Sequence, residues 1–148
     1  MKAAALIVLA ACAHEKPRPS PELRRLPLRV AQDVLAHPPS LQPRAQIFRE
    51  ALIADLREQG LCVDGRGDFE VVLQVDVTVA RDALELHLIV DKATGVRIDD
   101  RSEQIDAPLP QSAEGAREML RPFVLWLADS SALRPVAEDS SGCRGCCL

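Results

Sequence analysis

The stretch "FEVVLQVDVTVARDALELHLIV", residues 69–90, decides the fold because its apolar residues recur at every second position. Successive side chains of a β-strand point to opposite faces of the sheet, so this period predicts two strands, each with one apolar and one polar face. The segment "RDA" between them predicts a tight reversal. The residues expected on the apolar face are Phe69, Val71, Leu73, Val75, Val77, Val79, Leu84, Leu86, Leu88 and Val90.

A third strand is expected directly downstream. "DKATG" (residues 91–95) has the composition of a turn, because aspartate forms local hydrogen bonds and Gly95 tolerates a positive φ. "VRIDDRSEQI" (residues 96–105) then follows with Val96 and Ile98 expected to point inward. The three strands together predict an antiparallel meander with one apolar face and one solvated face.

The segments on either side predict one more strand and a helix. "LPLRVAQDVL" (residues 26–35) alternates as a short strand, and Pro27 restricts it to an edge or a strand start. "QPRAQIFREALIADLREQG" (residues 42–60) has helical periodicity and ends at Gly60, a residue favoured just after a helix. Its apolar row is Phe48, Leu52 and Leu56, and its expected solvated side carries Arg44, Arg49, Glu50, Asp55, Arg57 and Glu58.

A second helix is predicted over "SAEGAREMLRPFVLWLAD" (residues 112–129), with Ser112 as its N-cap. Pro122 lacks a backbone donor and is expected to kink or restart this helix. Its apolar residues, which include Met119, Phe123 and Trp126, are expected to pack on the sheet rather than to form a ligand site.

The order strand–helix–strand–strand–strand–helix predicts an α+β fold. We expect a two-layer sandwich with a four-stranded mixed sheet (β-α-β-β-β-α) and two helices on one face, since this arrangement buries every apolar surface. The folded domain is expected to span residues 26–133. Residues 134–148, which are rich in serine, glycine and cysteine, are expected to form a flexible tail.

The N-terminal segment "KAAALIVLAACAHE" (residues 2–15) indicates export. Its apolar run of nine residues is too short for a transmembrane helix, which needs about 20. Leu9-Ala10-Ala11-Cys12 resembles the lipobox of bacterial lipoproteins. That resemblance implies removal of residues 1–11 as a signal peptide and acylation of Cys12. The proline, charge and lack of apolar periodicity that follow predict an extended, Pro-rich tether, so that residues 12–25 comprise the lipidated cysteine and this tether. An ordinary signal peptide with a coincidental cysteine is the alternative.

The lipobox resemblance also implies a location. The residue after Cys12 is Ala13, not the aspartate that retains many such lipoproteins in the inner membrane. The implied destination is therefore the periplasmic face of the outer membrane, with the lipid as the membrane anchor.

The central region resembles a second group of proteins. A helix ending at Gly60, then "GDFEVVLQVDV", then "LELHLIVDKATGVRIDD" is similar to the small α/β domain of the amino-terminal part of TolB and of lipoprotein activators of penicillin-binding proteins. Leu61–Val63 would match the passage after the helix, Asp68 the position before the long strand, and Asp91–Gly95 their "D-x-x-T-G" hairpin. The auxiliary lipoprotein of lipid-transport ABC systems is also similar, because it begins with a lipobox and has a helix before an alternating strand. Neither resemblance transfers a catalytic residue.

Composition and motifs indicate a protein that is not an enzyme and has no cofactor. A net charge of −4 without a basic patch, together with no Tyr and one Trp, argues against nucleic acid as a partner. No nucleotide-binding, metalloprotease or serine-hydrolase motif is present. His87 lies on the polar face of its strand, where Asp76 and Asp91 are the conceivable partners, and a solvated face is the preferred explanation, with no metal site expected.

The cysteines leave three interpretations open. If Cys12 carries lipid, four remain, namely Cys62, Cys143, Cys146 and Cys147, and an exported compartment permits disulfides. The tail "CRGCC" could form a disulfide within itself or with Cys62, could keep free or intermolecular thiols, or could bind metal, since Cys-x-x-Cys spacing serves zinc and redox sites.

The expected function is therefore that of a lipid-anchored accessory protein that binds another component of the cell envelope. The solvated sheet face or an exposed strand edge is the expected docking surface. One alternative is an auxiliary lipoprotein of a lipid-transport ABC system. The other is a redox or metal-handling protein that acts through the C-terminal cysteines.

Overall fold

A computed structural model describes residues 26–133, and expectations for residues 1–25 and 134–148 lie outside this range. The helices are α1 Gln42–Ala45, α2 Ile47–Glu58 and α3 Ala113–Ala128, with single 3-10 turns at Pro39–Leu41 and Val79–Arg81. The strands are β1 Leu28–Val30, β2 Leu35–His37, β3 Phe69–Thr78, β4 Ala83–Lys92 and β5 Arg97–Ile105.

The sheet is mixed, in the order β1-β3-β4-β5, and β2 also pairs with β3. β1 and β2 run parallel to β3 and pair with successive parts of it, because Leu28 is opposite Phe69 and Leu35 is opposite Gln74. The two short strands therefore share one position beside β3, so the sheet is four positions wide although it contains five strands. The α+β two-layer arrangement with a mixed sheet is confirmed.

The single first strand predicted over residues 26–35 is instead split into β1 and the start of β2. Side chains of the first helical region bond the backbone in the gap: Gln46 accepts from the Val34 amide at 3.0 Å and donates to the Gln32 carbonyl at 2.7 Å. Arg49 Nε donates to the Ala31 carbonyl at 2.9 Å. These bonds satisfy backbone groups that leave the ladder, which is why the strand can break between Val30 and Leu35.

The predicted meander of β3, β4 and β5 is present, with antiparallel pairing throughout. Asp82, at φ 45°, closes the first reversal, and Gly95, at φ 88°, closes the second. The inward placement of Val96 is wrong. The Lys92 amide donates to the Val96 carbonyl at 2.8 Å, so Val96 belongs to the turn and is 56 % exposed. Ile98 does pack against the core.

The helices begin and end close to the predicted residues. Gly60 follows α2 with φ 82°, a left-handed conformation that glycine adopts without steric cost. The Ser112 hydroxyl accepts a hydrogen bond from the Gly115 amide at 3.1 Å and so caps α3 as predicted. Pro122 does not restart the helix, because α3 continues through it to Ala128.

One core lies between the helices and the sheet, and Phe48 of α2 and Phe123 of α3 are both fully buried in it. Met119 and Trp126 pack at its margin, as expected for a helix on a sheet. The core side of the sheet is formed by the alternating residues of β3 and β4, namely Phe69, Val71, Leu73, Val75, Leu84, Leu86, Leu88 and Val90.

Asp55 corrects the expectation that all charges of the first helical region are solvated. It is 8 % exposed, and its carboxylate accepts a hydrogen bond from Arg117 Nε at 2.6 Å, which joins α2 to α3. Arg117 also pairs with the exposed Glu58. The hydrogen bond to Asp55 raises the pKa of the Arg117 guanidinium above its ordinary value, and the negative charges of both carboxylates act in the same direction.

Gly67 lies where β1 and the loop before β3 approach each other closely, and we expect a side chain there to be costly. A Cβ at this position would stand 2.5 Å from the Pro27 carbonyl oxygen and 2.9 Å from the Arg29 amide nitrogen, both backbone atoms. Gly67→Ala is therefore expected to reduce the free energy of unfolding by about 1–3 kcal/mol, measured by urea denaturation.

Gly65 in the same loop is the matched control, because a Cβ there meets no atom within 4 Å. Gly65→Ala should leave the stability unchanged or slightly raised, since it only restricts the unfolded chain. Equal urea midpoints for the two variants would show that the close approach at Gly67 is absent.

Candidate functional site

The side of the sheet opposite the helices is the candidate site, and we call it the outer face. Its residues alternate with the core-facing residues along each strand. The members that pair across neighbouring strands are Arg29 on β1, Glu70, Val72, Gln74 and Asp76 on β3, Glu85, His87, Ile89 and Asp91 on β4, and Arg97, Asp100, Ser102 and Gln104 on β5.

An apolar pair lies at the centre of the outer face. Ile89 is directly opposite Val72 on β3 and Asp100 on β5. Ile89 is only 5 % exposed, yet it does not belong to the core cluster between sheet and helices. Val72 is half-buried. The outer face is therefore not uniformly polar, because it carries a buried aliphatic residue at its middle.

A hydrogen-bonded His87–Asp100 pair and an Arg97–Asp91 ion pair flank this centre along β4. On one side, His87 Nε2 lies 2.7 Å from Asp100 Oδ2. On the other side, Arg97 Nε donates to Asp91 Oδ1 at 2.7 Å. In each pair one side chain is partly buried (His87 at 24 % and Asp91 at 23 % exposure) and the other is exposed (Asp100 at 47 % and Arg97 at 52 %).

Neither of the conceivable partners, Asp76 or Asp91, bonds to His87. Asp91 pairs with Arg97 instead. Asp76 is directly opposite Glu85, and Glu85 lies two positions before His87 on β4. The partner is Asp100, which lies diagonally across the β4–β5 ladder because His87 itself faces Ser102. Within residues 26–133 there is no group of three or more histidine, cysteine or acidic residues that could hold a metal ion.

The carboxylates of β5 are separated as the strand period predicts. Asp99 points to the helix side, where its Oδ2 accepts from the Ser130 hydroxyl at 3.1 Å. Asp100 points to the outer face. Glu103 lies on the same side as Asp99, since they face the core residues Leu86 and Val90, and it pairs with Arg101 at 3.4 Å. No two of these carboxylates converge as an acid and a base would.

Acidic residues outnumber basic ones on the outer face. Asp76 and Glu85 are directly opposite each other on β3 and β4, and like charges in such positions repel. Together with Gln104, Asp106 and Arg81 they line a small cavity of about 170 Å³ at one end of the sheet. Its lining has three acidic residues and one basic residue, Arg81, so this end of the sheet is net negative.

A second, more open cleft of about 620 Å³ lies at the β1 edge, lined by Arg29, Val30, Gln32, Arg49, Gly65 and Glu70. Its two guanidinium groups already have internal partners. Arg29 pairs with Glu70 at 3.5 Å, and Arg49 donates to the Ala31 carbonyl. The buried Arg29 Nε has no hydrogen-bond partner within residues 26–133. Because Glu70 already lies beside Arg29, this cleft is not arranged to receive a second anion.

Cys62 is the predicted site residue that falls inside the described range, and its side chain is fully buried. It is disulfide-bonded. Cys12, Cys143, Cys146 and Cys147 lie outside the described residues, so lipidation and the choice of disulfide partner stay predictions. Among residues 26–133, no helix is long and apolar enough to cross a membrane.

Comparison with known proteins gives likenesses of structure only. No family model matches the chain, and no curated protein matches it. Protein XCC0632 from Xanthomonas campestris, described under the family model DUF330, is 12% identical with a TM-score of 0.47, over 82% of this chain and 93% of that chain.

PelC from Paraburkholderia phytofirmans, solved as a dodecamer, is also similar. One form is 10% identical with a TM-score of 0.45 over 73% of this chain and 93% of that chain, and a point variant gives 10% and 0.48 over 77% and 94%. Identities this low assign no family. None of these proteins is TolB or an activator of a penicillin-binding protein, so that resemblance stays a prediction.

Proposed function

We propose that this protein is a lipid-anchored accessory protein of the bacterial cell envelope, without enzymatic activity, that binds another envelope protein through the outer face. The lipobox-like Leu9-Ala10-Ala11-Cys12 supports the anchor and the location at the periplasmic side of the outer membrane. The tether over residues 12–25 would hold the sheet away from the bilayer, so that the outer face could meet a partner.

The observation that carries the binding role is the excess of acidic side chains on the outer face, where Asp76 is directly opposite Glu85 beside a cavity of about 170 Å³. Charge complementarity steers and orients a protein partner at an interface. The excess of carboxylates at Asp76 and Glu85 selects a partner whose surface carries lysine or arginine.

A charge-reversal pair tests this role. Asp76→Lys with Glu85→Lys reverses the outer-face charge, and because the two positions repel both before and after the change, the fold should be little affected. Glu114→Lys with Glu118→Lys on the exposed side of α3 makes the same net change and is the control. The measurement is quantitative co-purification of envelope proteins with the full-length protein from solubilised membranes.

We expect the outer-face variant to bind its partner at least about tenfold more weakly, which corresponds to 1.4 kcal/mol of binding free energy, and to recover less of it. The helix variant should recover the partner as the wild type does. Equal recovery with both variants would contradict docking through the outer face. If the recovered protein is a subunit of a lipid transporter, the alternative of an auxiliary transport lipoprotein is favoured. Recovery of cell-wall synthesis or Tol proteins favours the accessory role suggested by the TolB-like hairpin.

A further inference from the structure

β5 lies at the end of the sheet and leaves one side of its backbone available. It pairs with β4 along Arg97–Ile105, and no other strand within residues 26–133 pairs with it. Its outward residues Asp100, Ser102 and Gln104 are exposed. A strand of nine residues that no other strand of residues 26–133 pairs with on one side is a template for pairing with another strand.

The helix side of β5 is also unusual, because it carries charges where β3 and β4 carry core residues. Arg101 faces Leu88 and Glu103 faces Leu86 across the ladder, so both lie on the side of the helices. Their side chains are nevertheless 39 % and 38 % exposed. The helices therefore do not cover this part of the sheet. Here the Arg101 guanidinium and the Glu103 carboxylate lie 3.4 Å apart at the sheet edge.

The charges of β5 complement themselves when two copies meet antiparallel about a two-fold axis at Ser102. In that register Ser102 meets its own copy, and Arg101 faces Glu103 of the other copy twice. On the outer face, Asp100 faces Gln104, which can donate a hydrogen bond to it. Opposite charges at directly facing positions stabilise a pair of strands, and no like charges face each other over residues 99–105.

The neighbouring registers lack this property. A two-fold axis at Asp99, Asp100, Arg101 or Glu103 would place that charged residue directly against its own copy. Charges on an edge strand normally prevent pairing because they meet like charges or lose water. Here they disfavour the registers centred on residues 99, 100, 101 and 103, whereas the register about Ser102 pairs Arg101 with Glu103 twice.

We propose that two copies of this chain associate through β5, antiparallel and centred on Ser102, to form one continuous sheet. The pairing adds backbone hydrogen bonds and two exchanged Arg101–Glu103 ion pairs. Both outer faces remain free and lie side by side, and the inference does not depend on the partner proposed for them. Closed two-fold association of this kind is the commonest form of protein oligomer.

A cysteine placed on the proposed axis tests the register. Directly opposite residues of an antiparallel pair have Cα atoms about 4.5–5.5 Å apart, which suits a disulfide. We expect full-length protein carrying Ser102→Cys to form a covalent dimer under mild oxidation, with the cross-link mapped to this position by peptide mass spectrometry. Gln104→Cys is the control, because its two copies would be separated by four residues of strand, about 13 Å.

A charge exchange tests the ion pairs by light scattering and sedimentation of the full chain. Arg101→Glu should raise the dimer dissociation constant about tenfold or more, since it faces Glu103 with a like charge. Arg101→Glu combined with Glu103→Arg should restore dimerisation. A monomeric wild type, equal cross-linking at positions 102 and 104, or no restoration by the double exchange would each overturn the proposal.

Discussion

A Cys12→Ser variant is expected to lose essentially all incorporation of a palmitate analogue and to leave the membrane fraction. Cys12 provides the thiol that the lipobox resemblance designates for acylation. Each buried methylene contributes about 0.8 kcal/mol to membrane binding, and stable anchoring requires two or more chains. Without the acyl chains, attachment to the membrane would depend on contacts with other proteins alone. Metabolic labelling followed by membrane fractionation measures both effects.

The matched control is Cys143→Ser, which removes a tail cysteine and should keep full labelling. An ordinary signal peptide would give a different pattern, because neither the wild type nor the two variants would be labelled. Labelling that disappears with Cys143→Ser but survives Cys12→Ser would contradict the anchor outright. The experiment therefore separates the lipobox interpretation from a coincidental cysteine.

The largest effect on stability is expected from Phe123→Ala. Phe123 is fully buried on α3 and belongs to the same core cluster as Phe48 of α2 and the inner residues of β3 and β4. Removing a buried aromatic ring costs about 3–5 kcal/mol, from lost burial and from the cavity that remains. Because domains have only about 5–15 kcal/mol of net stability, a large part of the total should be lost in urea or thermal unfolding.

Leu125→Ala on the same helix is the control for helix propensity and for loss of apolar volume. Leu125 is 37 % exposed and does not belong to the core cluster. Its truncation should change the free energy of unfolding by less than about 1 kcal/mol. Similar losses of unfolding free energy in the two variants would show that α3 does not pack its Phe123-bearing face against the sheet.

The meander was predictable because its determinants are local. The alternation along β3 and β4 fixes which face is buried, and Gly95 marks the turn that leads to β5. The same is true of Ser112 and Gly60 at the helix ends. In each case the residues that decide the structure lie within a few positions of one another.

The errors arose where a partner distant in sequence decides the structure. Asp55 is buried because Arg117, 62 positions away, binds it, and a helical periodicity alone assigns Asp55 to solvent. The break between β1 and β2 depends on Gln46 and Arg49, whose side chains reach back 12 to 18 positions. Neither contact has a signature within its own segment.

On the outer face, the polar character was predictable from the sequence, but two of its contacts were not. Its polar character followed from the strand period, whereas the pairing of His87 depends on the register between β4 and β5. A bulge between Val90 and Asp91 shifts that register, and Asp100 then lies within 2.7 Å of the imidazole. The burial of Ile89 on this face was likewise not expected, since the alternation places Ile89 among polar residues.

The most direct test of the docking role is site-specific photo-cross-linking in living cells. A photoreactive residue at Gln74 or Glu85 would sample the outer face, and one at Glu118 or Arg121 would sample the exposed side of α3. We predict a discrete cross-link to one envelope protein, with lysine or arginine at its contact site, from the outer-face positions only. Cross-links to that protein from the helix positions, or no cross-links from the outer-face positions, would contradict docking through the outer face.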